Sequence, residues 1–202
     1  MTKTRLELFS DGVFVIVLTL LVLDLKPPAA DGFAGLVAMA PGLVVHALTF
    51  LIVGLTWLGH HNMLAAAYEV RTRTLVLNLL ALFWVTLIPY GARIAAEHPL
   101  GSLGIGFITA CRGLYSLSFV AMLATTASRN YDDPKLKPII QRRRRRGVLI
   151  GLGVLAAAPL CAISPWIGYA SIATVFLNVI YRVRFDAAVP PDAESADEPA
   201  AA

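Results

Sequence analysis

The chain is predicted to be an all-α, polytopic membrane protein with six transmembrane helices. Three observations carry this expectation. Hydrophobic residues make up 57% of the 202 residues and charged residues only 15%, against roughly 25% charged in soluble domains. The mean hydropathy is +0.71. The charges also gather in short blocks between long uncharged runs, the pattern of helices that cross a bilayer. A disordered chain, a disulfide scaffold and a porin-like barrel are excluded on the same grounds. The two cysteines, Cys111 and Cys161, each lie within an apolar run and not in a loop.

A span needs about 20 apolar residues to cross a hydrocarbon core of about 30 Å. The first is expected over Leu6 to Leu25, stopped by Pro27-Pro28, and the second over Pro41 to Leu58. Pro41 stands where a first helical turn tolerates proline. This second helix is expected to continue past the membrane through His60-His61 towards Glu69, and the short Gly-rich stretch from Asp31 to Ala40 reads as a re-entrant or interfacial segment. The third span covers Thr74 to Ala92 and the fourth Leu100 to Thr126. The fifth, Gly147 to Ile163, and the sixth, Pro165 to Tyr181, are joined by a tight turn at Ser164-Pro165. Residues 1–185 thus form one helical domain. Residues 186–202, rich in Ala, Pro and acids and without periodicity, read as a disordered tail.

The cations fix the expected orientation. All of the 17 Lys and Arg residues except Lys26, Arg93 and Arg112 fall on the side that carries both termini. The positive-inside rule places that side in the cytoplasm, and a bacterial plasma membrane is the expected location. Glu7 and Asp11 argue against a cleaved signal peptide in the first span, because such leaders are basic or neutral there.

The first helix carries the most informative residues: Arg5, Phe9, Ser10 and Asp11, then an apolar run broken by Thr19. A carboxylate at the depth of Asp11 costs about 3 kcal/mol on insertion scales and needs a partner. The ends of spans two and three reach the same depth and offer Trp57, His60, His61 and Asn78. These groups read either as a polar clasp holding helices together or as a proton or cation site. At 100° per residue, Ile16 lies about 140° from Asp11, while Ile16, Thr19, Leu20 and Leu23 share one face. Most such faces meet lipid or another helix, and a functional surface is the rarer reading.

Other chemistries find little support. Adjacent His60 and His61 diverge by about 100°, whereas chelating pairs prefer i, i+4, so no metal site is expected. There is no G-x-S-x-G, no H-E-x-x-H and no pair of aspartates within spans, so the chain is not expected to be an enzyme. The arginine run Arg142 to Arg146 anchors a cytoplasmic boundary and suits anionic lipid head groups. It lacks the aromatic-interleaved module of a nucleic-acid binder. Arg112 is a charge inside span four.

The string Arg5-x-x-x-Phe9-Ser10-Asp11 resembles the first-helix signature of the endosomal and lysosomal potassium channel family, transmembrane protein 175 and its prokaryotic homologues. The continuation Thr19-Leu20-Leu21-Val22-Leu23, the pattern Trp57-x-x-His60-His61, Asn78 and Pro89 extend the likeness across the six spans. Val15 departs from it, since an alanine is expected in that turn. The resemblance implies a homotetramer whose central pore is lined by the first helix of each subunit. It implies a constriction of aliphatic rings, Ile16, Leu20 and Leu23, beside a hydroxyl layer at Thr19. Arg5, Phe9, Ser10, Asp11, Trp57, His60, His61 and Asn78 would pin the pore helix. Permeant potassium would be the only ion held, with no cofactor, and no T-V-G-Y-G string occurs in the chain. The alternative is a secondary transporter or proton-coupled exporter using Asp11, His60 and Arg112.

Overall fold

The computed structural model describes residues 2–29, 31–65, 67, 70–125 and 137–186, with backbone alone for 137–140, 143, 175 and 178–186. Every regular element among the described residues is an α-helix: α1 (Lys3–Leu23), α2 (Gly32–Ala65), α3 (Thr72–Thr86), α4 (Ile88–Glu97), α5 (Ser102–Thr125), α6 (Lys137–Leu160) and α7 (Pro165–Asp186). α3 and α4 run end to end, so the seven segments make the six expected helices. Four of these, α1, α2, the α3–α4 pair and α5, are long and apolar enough to cross a membrane. Of the tail expected over residues 186–202, Asp186 is the last residue of α7, and residues 187–202 lie outside the described residues.

Three boundaries differ from the sequence expectation, each for a local reason. Residues 32–40 are not a separate re-entrant segment but the first turns of α2, with Pro41 inside the helix. Proline there removes one backbone donor, to the Val37 carbonyl, and the helix passes through it. The turn into α2 is made at Gly32, whose φ of 72° is open to glycine and strained for other residues. At its other end α2 carries His60 and His61 as expected but stops at Ala65, and Glu69 lies outside the described residues.

The third span does not end at Ala92. It breaks at Leu87, just ahead of Pro89, and resumes as α4 to Glu97. Leu87 keeps right-handed helical dihedrals, φ −85° and ψ −14°, so the proline kinks the span without unwinding it. Finally, α6 starts at Lys137, ten residues before the expected Gly147, so the arginine run is helical. Arginine is a good helix former, and hydropathy alone marked only the part that is apolar. The Ser164-Pro165 turn is where it was expected, between α6 and α7.

Packing sets the order of the helices. α1 lies against α2 and α3, α3 and α4 against α5, and α5 carries α6 and α7 on its far side. The central core joins Phe14, Val17 and Leu21 of α1 to Val53 of α2, Val85 of α3 and Ile108 of α5. A second cluster, Leu6, Met63, Leu64 and Met122, closes the end that bears the N-terminus. The α5 surface is cut by glycines: a Cβ on Gly104 would overlap the backbone of Ala95 in α4, and one on Gly113 would stand 2.8 Å from the Leu155 backbone of α6. Close backbone approach is how helices associate where burial of apolar surface gives no drive.

Candidate functional site

The polar residues expected to form a clasp fall into two separate groups. The first is buried except at Tyr115, which is half-buried, and spans four helices. His60 of α2, Asn78 of α3 and Ser10 of α1 are each no more than 1% exposed. His60 Nε2 lies 2.8 Å from Asn78 Oδ1, an atom that only accepts, so Nε2 carries the imidazole proton. The other nitrogen, Nδ1, then accepts from the Tyr115 hydroxyl of α5 at 3.2 Å. Asn78 Nδ2 donates to Ser10 Oγ at 3.1 Å, and Ser10 Oγ donates to the Leu6 carbonyl at 2.9 Å. The result is one directed chain, Tyr115 to His60 to Asn78 to Ser10 to the α1 backbone. The rings of Phe14 and Phe119 stand 5.4 and 5.9 Å from the His60 ring. Satisfied polar groups in so dry a setting fix helix register, since any slip leaves a donor unpaired at about 1–3 kcal/mol.

The second group is half-exposed and lies on the flank of α1 and α2. Trp57 Nε1 donates to Asp11 Oδ1 at 2.8 Å, and His61 Nδ1 lies 3.6 Å from Asp11 Oδ2. The Trp57 and His61 rings are 5.6 Å apart. The two histidines therefore serve different partners, as their divergence of about 100° requires. Asp11 and His60, joined in the transporter alternative, share no hydrogen bond. Asp11 binds Trp57 and faces His61.

Arg5 and Phe9 stand outside both groups. Arg5 is exposed and Phe9 is 46% exposed, because both fall on the helix side opposite the buried Leu6, Ser10, Phe14, Val17 and Leu21. That side continues through the expected constriction residues. Ile16, Leu20 and Leu23 are 58%, 45% and 76% exposed, and Thr19 is exposed between them. Thr19 Oγ1 donates to the Ile16 carbonyl at 2.9 Å, which leaves its lone pairs directed outward. One side of α1 is thus bolted down, and the other presents a continuous aliphatic strip with a single acceptor in it.

Three sets of contacts escaped the sequence reading. Tyr115 ends the buried chain, and its hydroxyl inside the apolar run of span four was the signal for it. Arg112 is buried and donates from Nη1 to Ser171 Oγ of α7 at 3.3 Å, so it braces α5 against α7. At the end of the bundle away from the N-terminus, Lys26 pairs with Glu97 at 2.8 Å, and Arg93 lies 3.9 Å from both Asp24 and Glu97. This network ties the C-terminus of α1 to that of α4, beside a cavity of about 500 Å³ reaching Pro41 and His98.

The model of the family described as "Endosomal/lysosomal potassium channel TMEM175" matches residues 5–89, which hold both polar groups except Tyr115. A potassium channel of Streptomyces collinus is 34% identical over 173 residues, 79% of this chain and 82% of its own length. A potassium channel of Chryseobacterium sp. is 31% identical over 163 residues, 78% of this chain and 82% of its own. The chain belongs to the TMEM175 family. Among solved structures, the crystal structure of a lysosomal potassium-selective channel TMEM175 homolog from Chamaesiphon minutus superposes with a TM-score of 0.73. It covers 90% of this chain and 97% of that one, at 23% identity. The TMEM175 fold therefore extends beyond the matched residues into α5, α6 and α7.

Proposed function

We propose that the chain is one subunit of a potassium-permeable cation channel, a homotetramer in the bacterial plasma membrane with both termini cytoplasmic. Ile16, Leu20 and Leu23 of the four α1 helices form its hydrophobic constriction, and Thr19 supplies a hydroxyl layer. The observation that carries this reading is the asymmetry of α1. Its one side is locked by the buried Ser10–Asn78–His60–Tyr115 chain, while the other leaves a bare aliphatic strip in line with Arg5 and Phe9. Membership of a family whose relatives are named potassium channels supports a pore-lining role for the strip.

A ring of aliphatic side chains gates by expelling water. When it opens, a partly dehydrated cation passes, and potassium loses its shell at lower cost than sodium. The outward lone pairs of Thr19 replace some of the lost water. Without a carbonyl filter the discrimination is modest. The positive-inside bias of the loops supports the orientation.

Flux through the purified protein in liposomes, under opposing potassium and sodium gradients, tests this. The expected result is a reversal potential that follows potassium, with severalfold higher flux in Ile16→Asn or Leu23→Ser. Flux that appears only with an imposed proton gradient, and vanishes in a folded Asp11→Asn variant, would move the protein to the transporter class. The kink at Leu87 to Pro89 is the one feature that favours that class, since transporters break helices near their sites. Its retained helical dihedrals argue against an unwound site.

A further inference from the structure

We infer that the outward side of α6 is a binding site for an anionic phospholipid, with the phosphate on Arg144 and Arg145 and the acyl chain along Val148, Leu149 and Leu152. This goes beyond ion conduction and rests only on the membrane location of the chain. It also narrows the role of the arginine run from a diffuse anchor to one helix side.

The evidence begins with which side of α6 is already in use. Gly147 meets Val120, Gly151 meets Leu117, and Leu155 packs at Gly113, so these positions face α5. They lie within about 80° of one another around the helix. On the adjoining side, centred about 90° further round the helix, Gln141, Arg144, Arg145, Val148 and Leu149 follow i, i+3, i+4, i+7 and i+8, and they line a shallow groove of about 270 Å³. No other described residue lines it. Arg144 and Arg145 are exposed, as are Leu149 at 59% and Leu152 at 50%. α6 packs chiefly on α5 and α7, with α5 between it and the α2–α3 region that holds α1.

The order of groups along the groove identifies the occupant. Two guanidinium groups and an amide stand at one end, and a strip of aliphatic side chains follows directly towards the membrane interior. A soluble anion would use the first part and leave the strip bare. An apolar partner helix would bury the strip but strand the two cations. A phospholipid with a net negative head group satisfies both, with its phosphate in reach of paired Arg donors.

Native mass spectrometry of the detergent-purified protein, titrated with phosphatidylglycerol or phosphatidylcholine, tests the site. The wild type is expected to retain phosphatidylglycerol at least tenfold better. Arg145→Gln should lower that preference about fivefold, and Arg144→Gln with Arg145→Gln should abolish it, as expected for basic groups at an anionic surface. Arg142→Gln, which does not line the groove, should lower it less than Arg145→Gln does. Leu149→Asn should weaken both lipids alike, and it keeps the test open if the double variant fails to fold. Equal losses in Arg142→Gln and Arg145→Gln would reduce the run to a diffuse anchor and overturn the site. So would a wild type without head-group preference, or displacement of the lipid by millimolar inorganic pyrophosphate, which would mark a soluble anion as the occupant.

Discussion

The two sides of α1 have nearly the same chemistry and opposite fates. Phe14, Val17 and Leu21 are at most 3% exposed, while Ile16, Leu20 and Leu23, on the same turns, are between 45% and 76% exposed. Both sets are aliphatic or aromatic, so hydrophobicity does not tell them apart. The difference comes from Ser10, whose hydroxyl meets Asn78 only when its own side of the helix turns inward. In a bilayer, where lipid satisfies an apolar side chain as well as protein does, one buried hydrogen-bonded chain decides the rotation of the helix.

Pairs of substitutions test how deep that difference runs. The largest expected effect is Phe14→Ala, at about 3–5 kcal/mol of subunit stability, because a fully buried ring against His60 leaves a cavity. Ile16→Ala, two residues on, should cost the isolated subunit within about 0.5 kcal/mol. Unfolding of each variant by SDS titration in mixed micelles measures both. Equal costs would mean that the strip is covered within one chain, and the comparison would fail.

Next in size is Asp11→Ala, expected to cost about 1.5–3 kcal/mol, the range for a hydrogen bond to a charged group, since Trp57 Nε1 loses its acceptor. It should also reduce the proposed tetramer on size exclusion; a normal tetramer yield would show that Asp11 does not hold the assembly. Tyr115→Phe removes the hydroxyl that His60 Nδ1 accepts from and should cost about 1 kcal/mol. Its decisive readout is the thermal midpoint of a double-mutant cycle with Asn78→Leu. Coupling of at least about 0.5 kcal/mol is expected for members of one network, and strict additivity would divide the chain into unrelated bonds.

The smallest expected effect is Lys26→Gln, at most a slight fall in the thermal midpoint, because the pair with Glu97 is solvent-exposed and screened. A thermal midpoint that moves no more in low salt than in high salt would remove electrostatics as its cause. This outer network and the buried chain both tie α1 to its neighbours, yet only the buried chain sits where water cannot replace a lost partner.

Much of the architecture was legible in the residues themselves. Uncharged runs of about span length, ended by Pro27-Pro28 or Ser164-Pro165, marked the helices, since the bilayer requires continuous apolar helix and proline resists continuing it. Helical spacing alone grouped Ile16, Thr19, Leu20 and Leu23 on one side and put Asp11 elsewhere. Hydropathy, however, reports lipid compatibility and not helix extent, so the arginine turns of α6 and the passage of α2 through Pro41 went unread. Spacing likewise says which residues share a side but not which side another helix will cover. That choice depends on the register of α2, α3 and α5, which together give His60 to Asn78 and Tyr115, leave His61 beside Asp11, and leave Arg5 and Phe9 outside the clasp. Sequence fixed the helices and their stripes because those are local properties of a periodic chain. Only the tertiary structure assigned the partners, because a hydrogen bond between spans depends on how distant segments meet.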